Sequence, residues 1–355
     1  MQTPSDMPNA TPAEITAEAI RIIADAPKYG PLRSVEYAKA LPPRAAALAR
    51  VLMDEKIVET AKDYFGADVS AGDAQGRFKR LGWTAAYSGF LAAVLGGVVL
   101  YLGSDRSIET MRSNFGLVQS TLLVISLVCA LWLFMRKPYR KWRIQRGEAE
   151  AKRLLVFALI MSGQSNAKEG EAPLLPLQLE CFHRHLLHDQ RNYFARRGLQ
   201  QRLTVLAWRV VGAFALLLIL ASIVPQLARL ETFGLLPEVL QEFIALLPLD
   251  PKHYVLAGLI GGALQGLLAA LTVMSPTERN AAKFREMRLL LDKYTVEKLE
   301  AVRVAATLGN REVVGEFATQ VTGDLAAEGR EWLILQEVLS EMAPKRFVQL
   351  NKATP

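Results

Sequence analysis

The sequence predicts an all-α membrane protein: four transmembrane helices whose cytoplasmic ends extend into long helical hairpins. Three observations predict it. Leu81–Gly103, Leu117–Met135, Leu203–Pro225 and Tyr254–Met274 are each about 20 residues long, enough to cross about 30 Å of hydrocarbon, and three of them carry no charge. They are apolar all round, whereas helices of a soluble core keep a polar face. Basic residues are also unevenly spread, since the loop 136–202 holds 14 basic against 6 acidic residues while both terminal regions are balanced. Whole-chain values conceal this pattern, because 51% hydrophobic residues and a mean hydropathy of +0.17 would suit a soluble protein.

Lys and Arg close to membrane ends are retained in the cytoplasm. The central loop, flanked by Arg136, Lys137, Arg140 and by Arg196, Arg197, Arg202, is therefore expected inside, and both termini with it. Arg77, Lys79 and Arg80 before the first span agree, as do Arg279, Lys283 and Arg285 after the fourth. Met1–Ala10 has no basic residue and no apolar run, so no cleaved signal peptide is expected. The formal charge of +7 fits juxtamembrane cations on anionic lipid headgroups better than a nucleic-acid partner.

Residues 1–10 read as a disordered tail, followed by a small helical cytoplasmic module over 11–80. Thr11, Pro12 and Glu14 form a capping box with proline at the first helical position, and that helix should run to about Ala26. Pro42-Pro43 opens a second helix to about Tyr64. Gly66–Gly76, with three Gly and two Asp, reads as a loop before the membrane. A first transmembrane hairpin spans 81–135.

The basic loop 136–202 reads as a helical hairpin: one arm to about Met161, a polar linker Ser162–Pro176, and a return arm running straight into the third span. The second transmembrane hairpin covers 203–274, with an outer interfacial segment 226–251 whose Leu240, Phe243, Ile244 and Leu247 share a face. Residues 275–355 form a C-terminal helical hairpin, broken at Gly309-Asn310 and continued through Phe317, Trp332 and Leu339. Tyr64-Phe65 before Trp83 and Tyr193-Phe194 before Trp208 hint at two similar halves.

The sharpest pattern in the spans is Gly258, Gly262 and Gly266, continued by Ala270, with a shorter version at Gly89, Ala93 and Gly97. Small residues at intervals of four let a neighbouring backbone approach, and packing within one subunit is favoured over a subunit interface. Gln265 lies near mid-depth and must bond a neighbouring helix or water, with a pore lining as the alternative. Arg209, about 9 Å of helix rise into the third span, is expected to snorkel to the headgroups, or else to form a gate or an ion pair within an oligomer.

His183, His185 and His188 read as solvated helix-surface histidines, since no HExxH or CxxC accompanies them. Cys129 and Cys181 read as free thiols. No nucleophile elbow, kinase signature or Ser/His/Asp context is present. No enzymatic activity, metal or cofactor is therefore expected.

From Phe78 to Val338 the order of features resembles the SLATT domains, the SMODS- and SLOG-associating transmembrane effector domains of bacterial conflict systems. The matching elements are Trp142-Arg143 and Gly147–Leu154 after a membrane hairpin; Phe182 and Asp189–Phe194 on the return arm; then Asn280-Ala281-Ala282, Tyr294 and Glu331-Trp332 after a second hairpin. The resemblance implies a bacterial defence protein of the inner membrane, working beside a nucleotide-signalling enzyme or cytoplasmic sensor, whose helices assemble as a homo-oligomer and breach the membrane. The chain lacks a recognisable sensor domain of its own. A constitutive channel or transporter, or a non-conducting membrane scaffold for a cytoplasmic complex, are the alternatives.

Overall fold

The computed structural model describes residues 10–103, 109–136, 138–223, 251–274 and 277–329, and within these the chain is helical with no strand. Four helices are long and apolar enough to cross a membrane. The expected tail, the bulk of the outer segment 226–251 and the end of the C-terminal hairpin, with Trp332 and Leu339, lie outside the described residues. The chain divides into two compact units: a packed unit from Met1–Ala74, Arg140–Arg197 and Lys283–Pro355, and a span unit from Gln75–Tyr139 and Gly198–Ala282.

The packed unit begins with α1 (Pro12–Asp25), whose Thr11/Glu14 capping box is formed. Next come α2 (Ser34–Ala40), a 3₁₀ turn (Pro43–Ala45) and α3 (Ala46–Leu52). The expected helix from Pro43 to Tyr64 is thus broken at Met53-Asp54, and α4 starts afresh at Glu55 and runs unbroken to Leu102. The expected loop at Gly66–Gly76 is absent, because this stretch is helical throughout. Glycine costs about 1 kcal/mol per helical position, but Ala71 and Ala74 on the same stretch are buried. Arg146 of α6 (Pro138–Ser162) also ties Asp68 to the neighbouring helix at 2.8 Å. Tertiary contacts here override local propensity.

The centre of the packed unit is α7 (Leu174–Phe182), in which every residue is buried. A π-turn (His183–His188) joins it to α8 (Asp189–Ala221). After α5 (Glu109–Arg136) and α9 (Pro251–Met274) in the span unit, the packed unit is completed by α10 (Thr277–Lys293), a second π-turn (Tyr294–Lys298), α11 (Leu299–Thr307) and a helix, α12, over 311–329. Gly309 adopts φ +74°, and the Asn310 N–H reaches the Ala305 carbonyl at 2.9 Å. These contacts form the Schellman stop that the Gly-Asn pair predicts.

The three sequence regions 11–80, 136–202 and 275–355 are not separate modules. One hydrophobic core takes Ile23, Leu48 and Leu52 from the first, Phe157, Leu177 and Phe182 from the second, and Leu291, Val302 and Phe317 from the third. Phe182 makes edge contacts with Phe157 and Phe317, at 6.2 and 6.4 Å between ring centres. In the middle region α6 and the arm of α7 and α8 flank a polar linker, and that linker is clamped down. Arg50 of α3 donates to both oxygens of Glu171 at 2.9 and 2.7 Å, and to Ser165 and the Asn166 carbonyl.

Candidate functional site

The span unit is built on small residues and single polar bonds. Between α4 and α5, Ser126 Oγ donates to the Ala85 carbonyl at 2.8 Å, and Gly89 leaves room for that hydroxyl, which a Cβ would meet at 3.1 Å. Higher up, a Cβ on Gly96 would lie 2.6 Å from the Gln119 amide. Between α4 and α9, Gly97 faces Leu256 and Leu259, while the Tyr101 hydroxyl and His253 Nε2 lie 2.9 Å apart. Between α8 and α9, a Cβ on Gly258 would lie 2.6 Å from Ser222, and one on Gly261 would lie 2.7 Å from the Ala215 carbonyl. Gln265 Nε2 donates to the Gly212 carbonyl at 3.0 Å, which is the interhelical bond expected of it.

The expected glycine face is therefore split. Gly258 packs within the chain, but Gly262 and Gly266 are exposed, and among the described residues no atom of another helix lies within 4 Å of where their Cβ atoms would stand. Ala93, the middle of the shorter series, is also exposed. The reason is geometric: at about 100° per residue, an i, i+4 series turns about 40° per step around the helix axis. The contact with α8 follows 258, 261, 265 and 268 instead. Packing of Gly262 within one chain is overturned by its exposure, and Gly96, Gly261 and Ser126, which lie outside the series at intervals of four, carry the contacts. The doublet Gly261-Gly262 is the signal that could have drawn attention to the inward partner.

Arg209 does not stand alone. Its guanidinium donates to Glu278 Oε1 through Nη2 at 2.7 Å and through Nε at 3.2 Å, and both side chains are exposed. The basic side chain in the third span is thus matched by an acid just beyond the fourth. Nothing at the sequence level pairs these two residues, which are far apart in the chain.

In the packed unit, the reading of three solvated histidines fails at His185, which is 8% exposed. The Tyr37 hydroxyl and His185 Nε2 are 2.9 Å apart, and the rings meet edge to face at 5.2 Å. Gly30, at φ +69°, lies against the other side of the imidazole, where a Cβ would be 2.7 Å from Nδ1. Burial, followed by the nearby Arg184 charge, holds the His185 pKa down to about 4. Burial pushes the Cys181 thiol up to about 12, partly offset by the Tyr37 hydroxyl and Arg184. A neutral imidazole and a protonated thiol behave as core groups, poor in nucleophilic character.

A second buried polar contact joins α7 to α11: Arg303 grips both oxygens of Glu180 at 2.7 and 3.0 Å. Burial opposes ionisation of this carboxyl, yet the hydrogen bonds from His183 and Arg303 hold its pKa below the usual range. Among the described residues no group of three His, Cys, Asp or Glu side chains is placed to hold a metal. Comparisons with family models, with curated proteins and with solved structures return no match, so the site rests on this chain's own geometry.

Proposed function

We propose that the protein is a non-enzymatic effector of the bacterial inner membrane. Its three packed-unit segments lie in the cytoplasm, several copies associate through their spans, and a cytoplasmic signal makes the membrane permeable. The SLATT resemblance adds a defence role beside a nucleotide-signalling or sensor partner. What supports the cytoplasmic arrangement is the shared core. Residues before the first span, between the second and third, and after the fourth pack together, which four crossings permit by bringing the chain back to the same side twice.

The observation that carries the effector reading is the use of polar groups inside the spans. The spans hold one charged residue, Arg209, and Glu278 pairs with it. Ser126 and Gln265 are spent on helix–helix bonds. Ion-coupled transporters bury several ionisable groups at mid-membrane, and a single chain here has no such relay, so conduction calls for several chains. The exposed Gly262 and Gly266 offer a face that another helix can approach closely.

Potential-sensitive dye fluorescence in bacteria expressing the intact chain tests this reading. The native chain is expected to depolarise the membrane, and Gly262→Leu, present at the same membrane level, to leave the potential intact. Equal depolarisation by both would remove the glycine face from the account. An intact potential with both, even when infected or stressed cells supply a trigger, would favour the scaffold.

A further inference from the structure

The two ends of the span unit differ in charge. Contacts of Ala85 with Ser126, of Gly212 with Gln265 and of Arg209 with Glu278 gather 75–88, 126–139, 198–212 and 265–282 towards one end. The Tyr101–His253 contact marks the other. At the first end the described residues include seven cations and one acid. The acid, Glu278, is taken by Arg209. The remaining six, Arg77, Lys79, Arg80, Arg136, Arg202 and Arg279, are exposed. At the opposite end the described charged residues are Arg112, Lys252 and Glu109.

About 5 Å further along the helices, an aromatic layer begins beside these cations. Trp83 and Tyr87 stack at 5.3 Å and are each 42% exposed, and the Arg136 guanidinium lies 5.3 Å from the centre of the exposed Trp132 ring. Amphipathic Trp and Tyr rings sit at headgroup level in a bilayer, and a bilayer aligned on these rings puts the cations level with the lipid phosphates.

We propose that this end of the span unit is a binding surface for anionic phospholipid headgroups, formed by the six unpaired cations above the layer of Trp83, Tyr87 and Trp132. Charge complementarity selects an anion. The aromatic layer and the exposed apolar helices directly beneath it select one embedded in a bilayer over a nucleic-acid strand, whose phosphates carry no adjoining hydrocarbon. The inference rests on the membrane placement of the spans, and is independent of ion conduction.

The test is native mass spectrometry of the full chain released from detergent after equilibration with equimolar phosphatidylglycerol and phosphatidylcholine. Each cation near an anionic surface favours binding roughly fivefold, so phosphatidylglycerol should be retained in clear excess. Replacing all six cations by Gln should bring the two lipids to within about twofold, whereas Arg112→Gln with Lys252→Gln should leave the excess unchanged. A version with the five arginines changed to Lys, which keeps the charge, should retain the preference and so separates lost charge from lost fold. Equal retention of the two lipids by the native chain, or an unchanged excess in the six-Gln version, would overturn the proposal. So would displacement of the phosphatidylglycerol by a single-stranded oligonucleotide at matched phosphate concentration.

Discussion

The packed unit and the span unit solve the same problem, holding helices together, with opposite materials. In the packed unit large side chains such as Phe157, Phe182 and Leu291 are fully buried, and water drives their association. Glu180 enters that core paired with Arg303. In the span unit Leu117, Leu127, Phe134 and Leu217 are at least 64% exposed. Lipid is as apolar as these side chains, so their burial between helices would gain little. Close approach at Gly258 and Gly261 and single bonds from Ser126 and Gln265 do the joining instead. The same residue types thus carry different weight in the two units: a leucine is structural in one and a solvent-facing group in the other.

The sharpest way to break this contrast is to cut large groups from the packed unit. Phe182→Ala should destabilise it by about 3–5 kcal/mol, seen as a strongly lowered melting temperature of the purified chain in detergent. Arg303→Ala should cost about 3 kcal/mol or more, because Glu180 is left charged and buried. The double change Arg303→Met with Glu180→Leu should recover much of that loss.

Acid sharpens the comparison. His185 takes up its proton near pH 4 in the fold but near pH 6.5 when unfolded. Between these values the unfolded chain holds more protons, so stability is full above about pH 6.5 and is lost as the pH falls towards 4. That window corresponds to about 3 kcal/mol at most. Melting temperature against pH should show this slope in the native chain and a flatter one in His185→Gln.

The span unit should respond to position and less to size. Gly261→Leu should disrupt the α8–α9 contact by about 1–3 kcal/mol, whereas Gly262→Leu should leave the melting temperature of the single chain unchanged. Gln265→Leu should cost about 1 kcal/mol by removing the bond to the Gly212 carbonyl. Thermal scans of the three side by side, at matched detergent, check the order.

The four spans were legible in the sequence because length and uninterrupted apolarity are enough to mark them, and so were the Thr11 cap and the Gly309 stop, which are local. The Gly66–Gly76 helix was not legible, since its glycines argue for a loop and the contacts that overrule them, from Arg146 and around Ala71, come from far along the chain. His185 was misread for the same reason: its partners Tyr37 and Gly30 lie about 150 residues upstream. The glycine series was visible as composition, but which of its members faces inward depends on where α8 crosses α9. No spacing within one helix states that.

The most direct test of the central claim is labelling with a membrane-impermeant maleimide in intact bacteria. Single cysteines would be placed at the exposed positions Glu36, Glu169 and Glu312 of the packed unit and at Arg112 and Lys252 of the span unit, in a chain with Cys129 and Cys181 replaced. The account predicts that the first three are protected until the inner membrane is opened, and that Arg112→Cys and Lys252→Cys are labelled as soon as the reagent reaches the periplasm. Labelling of any one of the three packed-unit positions in intact cells while another stays protected would contradict a single cytoplasmic core and the four crossings that allow it.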